Sequence, residues 1–208
     1  MTHGKASQSD GPRVLLRRLW TIRRRYPALV FISHKRGAPP VGDDDFSCQL
    51  TEDLWEHFGG DHDSVWYDTL GGIHAGDEFK QKILRAIKRR PIFVIILSPQ
   101  AMASEWIRLE VRQAIWLRDH SKREPRFIVP VVYLPTLPAE IPSDLVGSLS
   151  RVDSVSFEAP RPYDAALKVL ISGIDDKYAQ WRRFAIRRRL MRVGLPLLVA
   201  LVMLTALI

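Results

Sequence analysis

The chain has 208 residues, which is the size of one domain with short attachments. Its composition, 46% hydrophobic and 26% charged, is typical of a globular protein and excludes a disordered chain or a multi-span membrane protein. The net charge of +8 is concentrated in two flanks, because residues 1–27 and 181–208 carry +6 each and leave −4 for residues 28–180. A core that binds nucleic acid would carry its own positive face, so no specific nucleic-acid partner is expected.

Strands and helices alternate along the central part of the sequence. Apolar runs bounded by turn residues predict strands, and apolar residues recurring every three or four positions predict helices. In chain order the predicted elements are a strand at Ala28–Ser33, a helix at Asp44–Phe58 stopped by Gly59 and Gly60, a strand at Ser64–Tyr67, a helix at Asp77–Arg90, a strand at Ile92–Leu97, a helix at Ala101–Arg118, a strand at Phe127–Tyr133, a weaker strand within Leu149–Phe157 and a helix from Tyr163. This alternation predicts an α/β fold with a doubly wound, five-stranded parallel sheet, whose functional crevice lies beyond the carboxyl ends of the strands.

The segment Val193–Ile208 has no charged residue and follows six arginines within residues 182–192. As a helix it would be about 24 Å long, against about 30 Å for the hydrocarbon core of a bilayer. It is therefore predicted to be a transmembrane segment, either incomplete in this sequence or a short tail anchor, and a buried helix of a soluble protein is the alternative. The arginines predict a single-pass protein whose main domain lies in the cytoplasm.

The predicted organisation has four regions. Residues 1–27 form a polar and basic N-terminal extension, and residues 28–160 form the α/β domain. Residues 161–192 form a helix with an arginine-rich juxtamembrane end, and residues 193–208 form the transmembrane segment, a C-terminal hydrophobic helix.

Several common α/β sites are missing from the sequence. No GxxxxGK[ST] pattern is present, no GxGxxG follows the first strand and no GxSxG follows any strand. These absences exclude a P-loop, a Rossmann dinucleotide turn and an α/β-hydrolase serine. Asp43, Asp44 and Asp45 are consecutive and cannot all face one ion from a helix, so no metal site is expected. They are predicted to cap a helix N-terminus and to place negative charge there.

Four sequence pieces stand at the ends of the predicted strands. They are Val30-Phe31-Ile32-Ser33-His34; Val65-Trp66-Tyr67-Asp68 with Gly76-Asp77-Glu78-Phe79; Leu97-Ser98-Pro99 with Ser104-Glu105-Trp106-Ile107-Arg108-Leu109-Glu110; and Ile128-Val129-Pro130-Val131. In this order the pieces resemble the Toll/interleukin receptor (TIR) domain family, of bacterial type, over most of residues 28–158, although His34 replaces the usual tyrosine. The resemblance implies a flavodoxin-like TIR fold and homotypic self-association that involves the BB loop, which follows the second strand.

Some TIR domains cleave NAD at the nicotinamide–ribose bond, and others are purely adaptors. The resemblance implies that Glu110 is the catalytic glutamate. Residues i and i+4 of a helix share a face, so Trp106 and Glu110 are expected to face the same crevice. A carboxylate beside the ribose can stabilise the oxocarbenium charge that develops as the bond breaks. The alternative is a surface glutamate paired with Arg108 or Arg112.

The same resemblance implies further substrate-binding residues. Lys35 and Arg36, in the loop after the first strand, would contact the phosphates of NAD, while Trp106 would wall the site and limit water access. Asp68 ends the second strand and either orders the BB loop or contacts substrate. His74 and Phe79 flank that loop, and His74 stands where catalytic relatives often carry an acidic residue.

The leading prediction is a membrane-anchored TIR domain that acts as an NAD nucleosidase, a glycohydrolase or a cyclase, upon self-association. NAD is then a substrate, and no separate cofactor is expected. The alternative is a non-catalytic TIR module that recruits other TIR domains in signalling. The two hypotheses differ at Glu110, because only the enzyme requires its carboxylate.

Overall fold

Five parallel strands form one sheet in the computed structural model, which describes residues 28–37, 42–60, 63–67, 77–121, 124–136 and 140–206, with side chains up to residue 191. The elements are β1 Val30–Ser33, α1 Asp44–His57, β2 Val65–Trp66, α2 Asp77–Arg89, β3 Ile92–Leu97, α3 Pro99–Ala103, α4 Glu105–His120, β4 Phe127–Val132, α5 Ser143–Leu149, β5 Val155–Ser156 and α6 Tyr163–Ala206.

The strand order is β2-β1-β3-β4-β5, and every neighbouring pair is parallel. Helices α1 and α6 pack on one face of the sheet, and α2, α3, α4 and α5 pack on the other. This arrangement confirms the predicted five-stranded parallel α/β fold. Its order reverses direction between β1 and β3, which is the place where open α/β sheets bind ligands.

The central strand β3 is buried along its whole length. Successive side chains of a strand point to opposite faces of the sheet. The six apolar residues of β3 therefore contribute to the hydrophobic cores on both faces. Val94 and Ile96 pack toward α1 and α6, whereas Phe93, Ile95 and Leu97 pack toward α2 and α4. The apolar character of every position explains why the predicted bounds of this strand, Ile92–Leu97, are confirmed.

The first turns of α6 belong to the core of the α/β domain. Ala166, Leu170 and Ile174 recur every four residues and are fully buried against the sheet and α1. The packed core therefore extends past residue 160 and reaches at least Ile174.

Helix α6 crosses the domain from one edge of the sheet to the other. Near its start, the ring of Tyr163 lies 6.2 Å from the ring of Phe46 in the first turn of α1, close to the carboxyl edge. Farther along, Arg188 donates a hydrogen bond of 3.1 Å to Glu124, which precedes β4 at the amino edge. The helix therefore runs antiparallel to the strands over about 38 Å, at 1.5 Å per residue.

Two local features differ from the sequence prediction. The helix predicted at Ala101–Arg118 is two helices, because Ser104 has an extended backbone with ψ of 119° and separates α3 from α4. After this break, α4 presents Ile107, Glu110 and Val111 to the core. Helix α5 lies in a stretch where the sequence predicted neither helix nor strand, since Pro142 and Gly147 reduce its helical pattern.

Among the side chains that the structure describes, no helix combines the length and the apolar character needed to cross a membrane. The side chains of the predicted transmembrane segment, residues 193–208, lie outside that described part.

Candidate active site

Two serines at the carboxyl edge mark the point where the strand order reverses. Ser33 is the last residue of β1, and Ser98 directly follows β3. The alternation of side chains places Ser33 on the α4 face, together with Phe31, and Ser98 on the α1 face, together with Ile96. Ser33 of β1 therefore lies beside α4, which follows β3 along the chain, and Ser98 after β3 lies beside α1, which follows β1.

Glu110 lies on the inward face of α4, with 5% of its surface exposed. Ser33 Oγ donates a hydrogen bond of 2.6 Å to Glu110 Oε2. The alternative for this glutamate was a surface position paired with Arg108 or Arg112, and the burial of Glu110 contradicts the surface position. Arg112 pairs with Asp144 at 2.7 Å, and Arg108 lies 3.9 Å from Glu105.

Three predicted substrate-binding side chains form a continuous stack near Glu110. The ring of Phe79, in the first turn of α2, stacks on Trp106 at 5.7 Å with the planes 16° apart. The guanidinium group of Arg36 lies over the same Phe79 ring at 5.9 Å, a distance compatible with a cation–π contact. The Arg36–Phe79–Trp106 stack thus joins the loop after β1 to α2 and α4, one helical turn from Glu110.

Asp43 orders the loop that carries Lys35 and Arg36. Its carboxylate oxygen Oδ2 accepts hydrogen bonds from Ser98 Oγ at 2.9 Å and from the Lys35 backbone N–H at 3.3 Å. The Asp43 N–H in turn donates to the Lys35 carbonyl at 2.7 Å. The sequence predicts that this aspartate run both charges and caps a helix N-terminus; Asp43 occupies the N-cap position, but its side chain makes no capping bond.

Gly42 allows this loop to close on itself. A Cβ atom at Gly42 would overlap the backbone of Arg36 and Gly37, so a larger residue would push the loop open. On the far side, Asp44 Oδ2 accepts a 2.9 Å hydrogen bond from the Gly37 N–H. Two consecutive aspartates and a glycine therefore determine the path of residues 35–37.

The histidine that replaces the usual tyrosine is buried beside the same loop. The ring of His34 stacks on Tyr67 at 4.7 Å, and its Nε2 lies 3.5 Å from Asp44 Oδ1. Tyr67 also contacts Cys48, whose sulfur lies 3.0 Å from the tyrosine oxygen. The imidazole thus keeps an aromatic and polar role where a tyrosine is usual.

Burial raises the pKa of Asp43 above its usual value, the charge of Asp44 adds to this effect, and the hydrogen bonds from Ser98 and Lys35 oppose it. A group whose pKa is higher in the folded state binds protons more tightly there. Its contribution to stability is therefore present at low pH and is lost as the pH rises through the folded-state pKa.

Replacing Asp43 with asparagine is expected to remove this dependence on pH. As the pH rises from about 3.8 toward neutrality, the wild type should therefore lose stability relative to Asp43→Asn. Urea unfolding midpoints of both proteins between pH 3.5 and 7 measure it, with the exposed neighbour Asp45→Asn as the control. A difference that stays constant across this range would contradict the assignment.

The other predicted site residues are placed less directly. Lys35 takes part through its backbone, and within the described residues no contact joins its ammonium group to the stack. Asp68 and His74 lie outside the described residues, as does the BB loop. In the described parts of the chain, no group of three or more histidine, cysteine or acidic side chains could hold a metal ion.

An open cleft of about 400 Å³ lies beside the stack, on the outer side of α4. Its lining consists of Glu105, Trp106, Arg108, Leu109 and Arg112. Trp106 therefore belongs both to the stack and to the lining of this cleft.

Comparison with known proteins gives a family and a fold. A family model described as the TIR domain matches residues 30–171. The TIR domains in a structure of the activated Roq1 resistosome, which directly recognises the pathogen effector XopQ, have a similar fold, with a TM-score of 0.53 over 70% of this chain and 98% of that chain. Their sequence identity of 15% limits the likeness to the fold. No curated protein matches the chain in sequence.

Proposed function

Since this chain belongs to the TIR domain family, we propose that it cleaves NAD at the bond between nicotinamide and ribose when several copies associate. Glu110 is the catalytic residue in this proposal, and NAD is the substrate. Nicotinamide leaves the ribose carbon, and either water (in a glycohydrolase, which releases a proton and ADP-ribose) or a group of the same dinucleotide (in a cyclase, which gives a cyclic ADP-ribose) forms the new bond there. The observation that carries the proposal is the burial of Glu110 one helical turn from Trp106, at the edge where the strand order reverses.

The environment of Glu110 suits this chemistry. Cleavage of the N-glycosidic bond develops positive charge on the ribose, and a carboxylate beside the ring stabilises that charge. Electrostatic stabilisation is stronger where water is excluded, as it is around a side chain that is 5% exposed. The aromatic surface of Trp106 and the guanidinium group of Arg36 offer contacts to a flat ring and to phosphates, respectively.

Association is part of the proposal because Glu110 is almost closed to solvent in a single copy. A substrate reaches its carboxylate only after side chains such as those of the Arg36–Phe79–Trp106 stack move. A neighbouring copy that binds the carboxyl edge would supply the energy for this rearrangement. Attachment to a membrane through residues 193–208, with the domain in the cytoplasm, would raise the effective concentration of the copies without any new contact.

Nicotinamide release by residues 26–180 tests the dependence on association. We expect the rate per molecule to rise steeply when the protein is tethered to liposomes, because confinement favours contact between copies. The same protein at the same bulk concentration, mixed with liposomes that lack the tether lipid, is the control. A rate per molecule that is equal in the two samples would contradict the requirement for association.

The adaptor function is the second candidate, and one observation favours it. The carboxylate of Glu110 already accepts a hydrogen bond from Ser33 inside the domain, which is a structural role that needs no substrate. An adaptor would associate with other TIR domains on the same liposomes and release no nicotinamide. Self-association detected by cross-linking, with no NAD cleavage, would select this function.

A further inference from the structure

Ser33 binds the carboxylate that the proposed function places at the reacting bond. The hydrogen bond from Ser33 Oγ to Glu110 Oε2 measures 2.6 Å, which is typical of a hydroxyl donating to an ionised carboxylate. Both residues are buried, with 1% of Ser33 and 5% of Glu110 exposed. Because water has little access to this pair, little water competes for the bond.

We propose that Ser33 is a positioning residue for NAD cleavage, whose hydroxyl fixes the orientation of the Glu110 carboxylate toward the substrate. This inference rests on the proposed function. A glutamate side chain has three rotatable torsions, and a single well-placed donor restricts them. Small displacements of a reacting group lower rates strongly, so a fixed carboxylate is worth more than a mobile one.

The backbone around Ser33 is suited to this role. Strand β1 pairs with β2 on one side and with β3 on the other, and all four of its residues are buried. Ser33 itself is in register with Ile95 of the central strand. A hydroxyl on such a paired strand is held more firmly than one on a loop.

The kinetics of three variants of the full chain test the inference. Ser33→Ala removes one oxygen atom from the strand, and we expect kcat for nicotinamide release to fall about ten- to hundredfold with little change in KM. Ser33→Thr keeps the hydroxyl and should restore most of the rate. Ser47→Ala deletes another buried hydroxyl, on α1 at the opposite face of the sheet, and should leave both constants unchanged. An unchanged kcat in Ser33→Ala, or a loss confined to KM, would overturn the proposal.

A stability measurement separates this inference from the proposed function. Free energies of unfolding of the full chain carrying Ser33→Ala, Glu110→Ala and both changes form a double-mutant cycle. We expect the two effects to be non-additive, because the side chains contact each other. Additive effects would overturn the role of Ser33, even if the protein cleaves NAD. Non-additive effects in a protein that cleaves no NAD would show that the two side chains are coupled; they would overturn the proposed function and the kinetic role of Ser33 that rests on it.

Discussion

Replacing Glu110 with alanine is expected to abolish nicotinamide release, with a loss of at least about 100-fold in kcat. The carboxylate is the proposed source of negative charge beside the ribose, and a neutral water molecule in its place cannot supply that charge. The variant should stay folded, because an unpaired Ser33 hydroxyl costs about 1–3 kcal/mol against a typical stability of about 5–15 kcal/mol. Nicotinamide release, circular dichroism and thermal unfolding measure these expectations.

Two further variants make the Glu110 test specific. Glu110→Gln keeps the size of the side chain and an oxygen that can accept from Ser33, so it removes the charge alone and should be nearly as inactive. Glu105 lies on the same helix, and its side chain is 95% exposed. The variant Glu105→Ala should therefore be fully active. If Glu110→Ala were as active as Glu105→Ala, the assignment of Glu110 as the catalytic residue would be contradicted.

Ending the chain at Pro160 is expected to unfold the α/β domain. This truncation removes Ala166, Leu170 and Ile174, which are fully buried against the sheet and α1. Burial of one Leu or Ile side chain stabilises a fold by about 1.5–3 kcal/mol, so the combined loss is comparable with the whole stability of a domain. Circular dichroism of residues 28–160 and 28–180 should show a cooperative unfolding transition only in the longer chain.

Point substitutions on α6 refine the truncation test. Leu170→Ala should destabilise the domain by about 2–5 kcal/mol, since it opens a cavity in a closed core. Its neighbour Val169 is 52% exposed, and Val169→Ala should change stability by no more than about 0.5 kcal/mol. Equal effects of the two substitutions, or a cooperative transition in residues 28–160, would contradict the assignment of these turns to the core.

The fold was predictable from the sequence where a local pattern and the tertiary environment agree. Strand β3 is apolar at every position and lies between Pro91 and Ser98, so its bounds follow from this apolar run alone. Helix α1 ends at His57, one residue before its predicted end, because Gly59 and Gly60 adopt positive φ angles of 86° and 74°. Helix α5 was missed since a helix of seven residues that contains a glycine has little local signal.

The candidate site was predictable only in part, for a similar reason. Family resemblance selected Glu110 and Trp106 because they are four residues apart on one helix. The partner of Glu110 is Ser33, which is 77 residues away along the chain, and no local pattern reports such a contact. The contact between Asp43 and Ser98, which are 55 residues apart, was missed for the same reason. The alternation of side chains along β1 and β3 does predict which face of the sheet each serine occupies.

The course of α6 determines where the candidate site points. The helix enters at the carboxyl edge of the sheet beside Phe46 and passes Glu124 at the amino edge before continuing to Ala206. A molecule held by its tail would therefore expose the Glu110 edge on its distal side, about 38 Å from the point where the helix leaves the domain. Copies held side by side in this way would share one orientation, with their Glu110 edges all facing away from the tail.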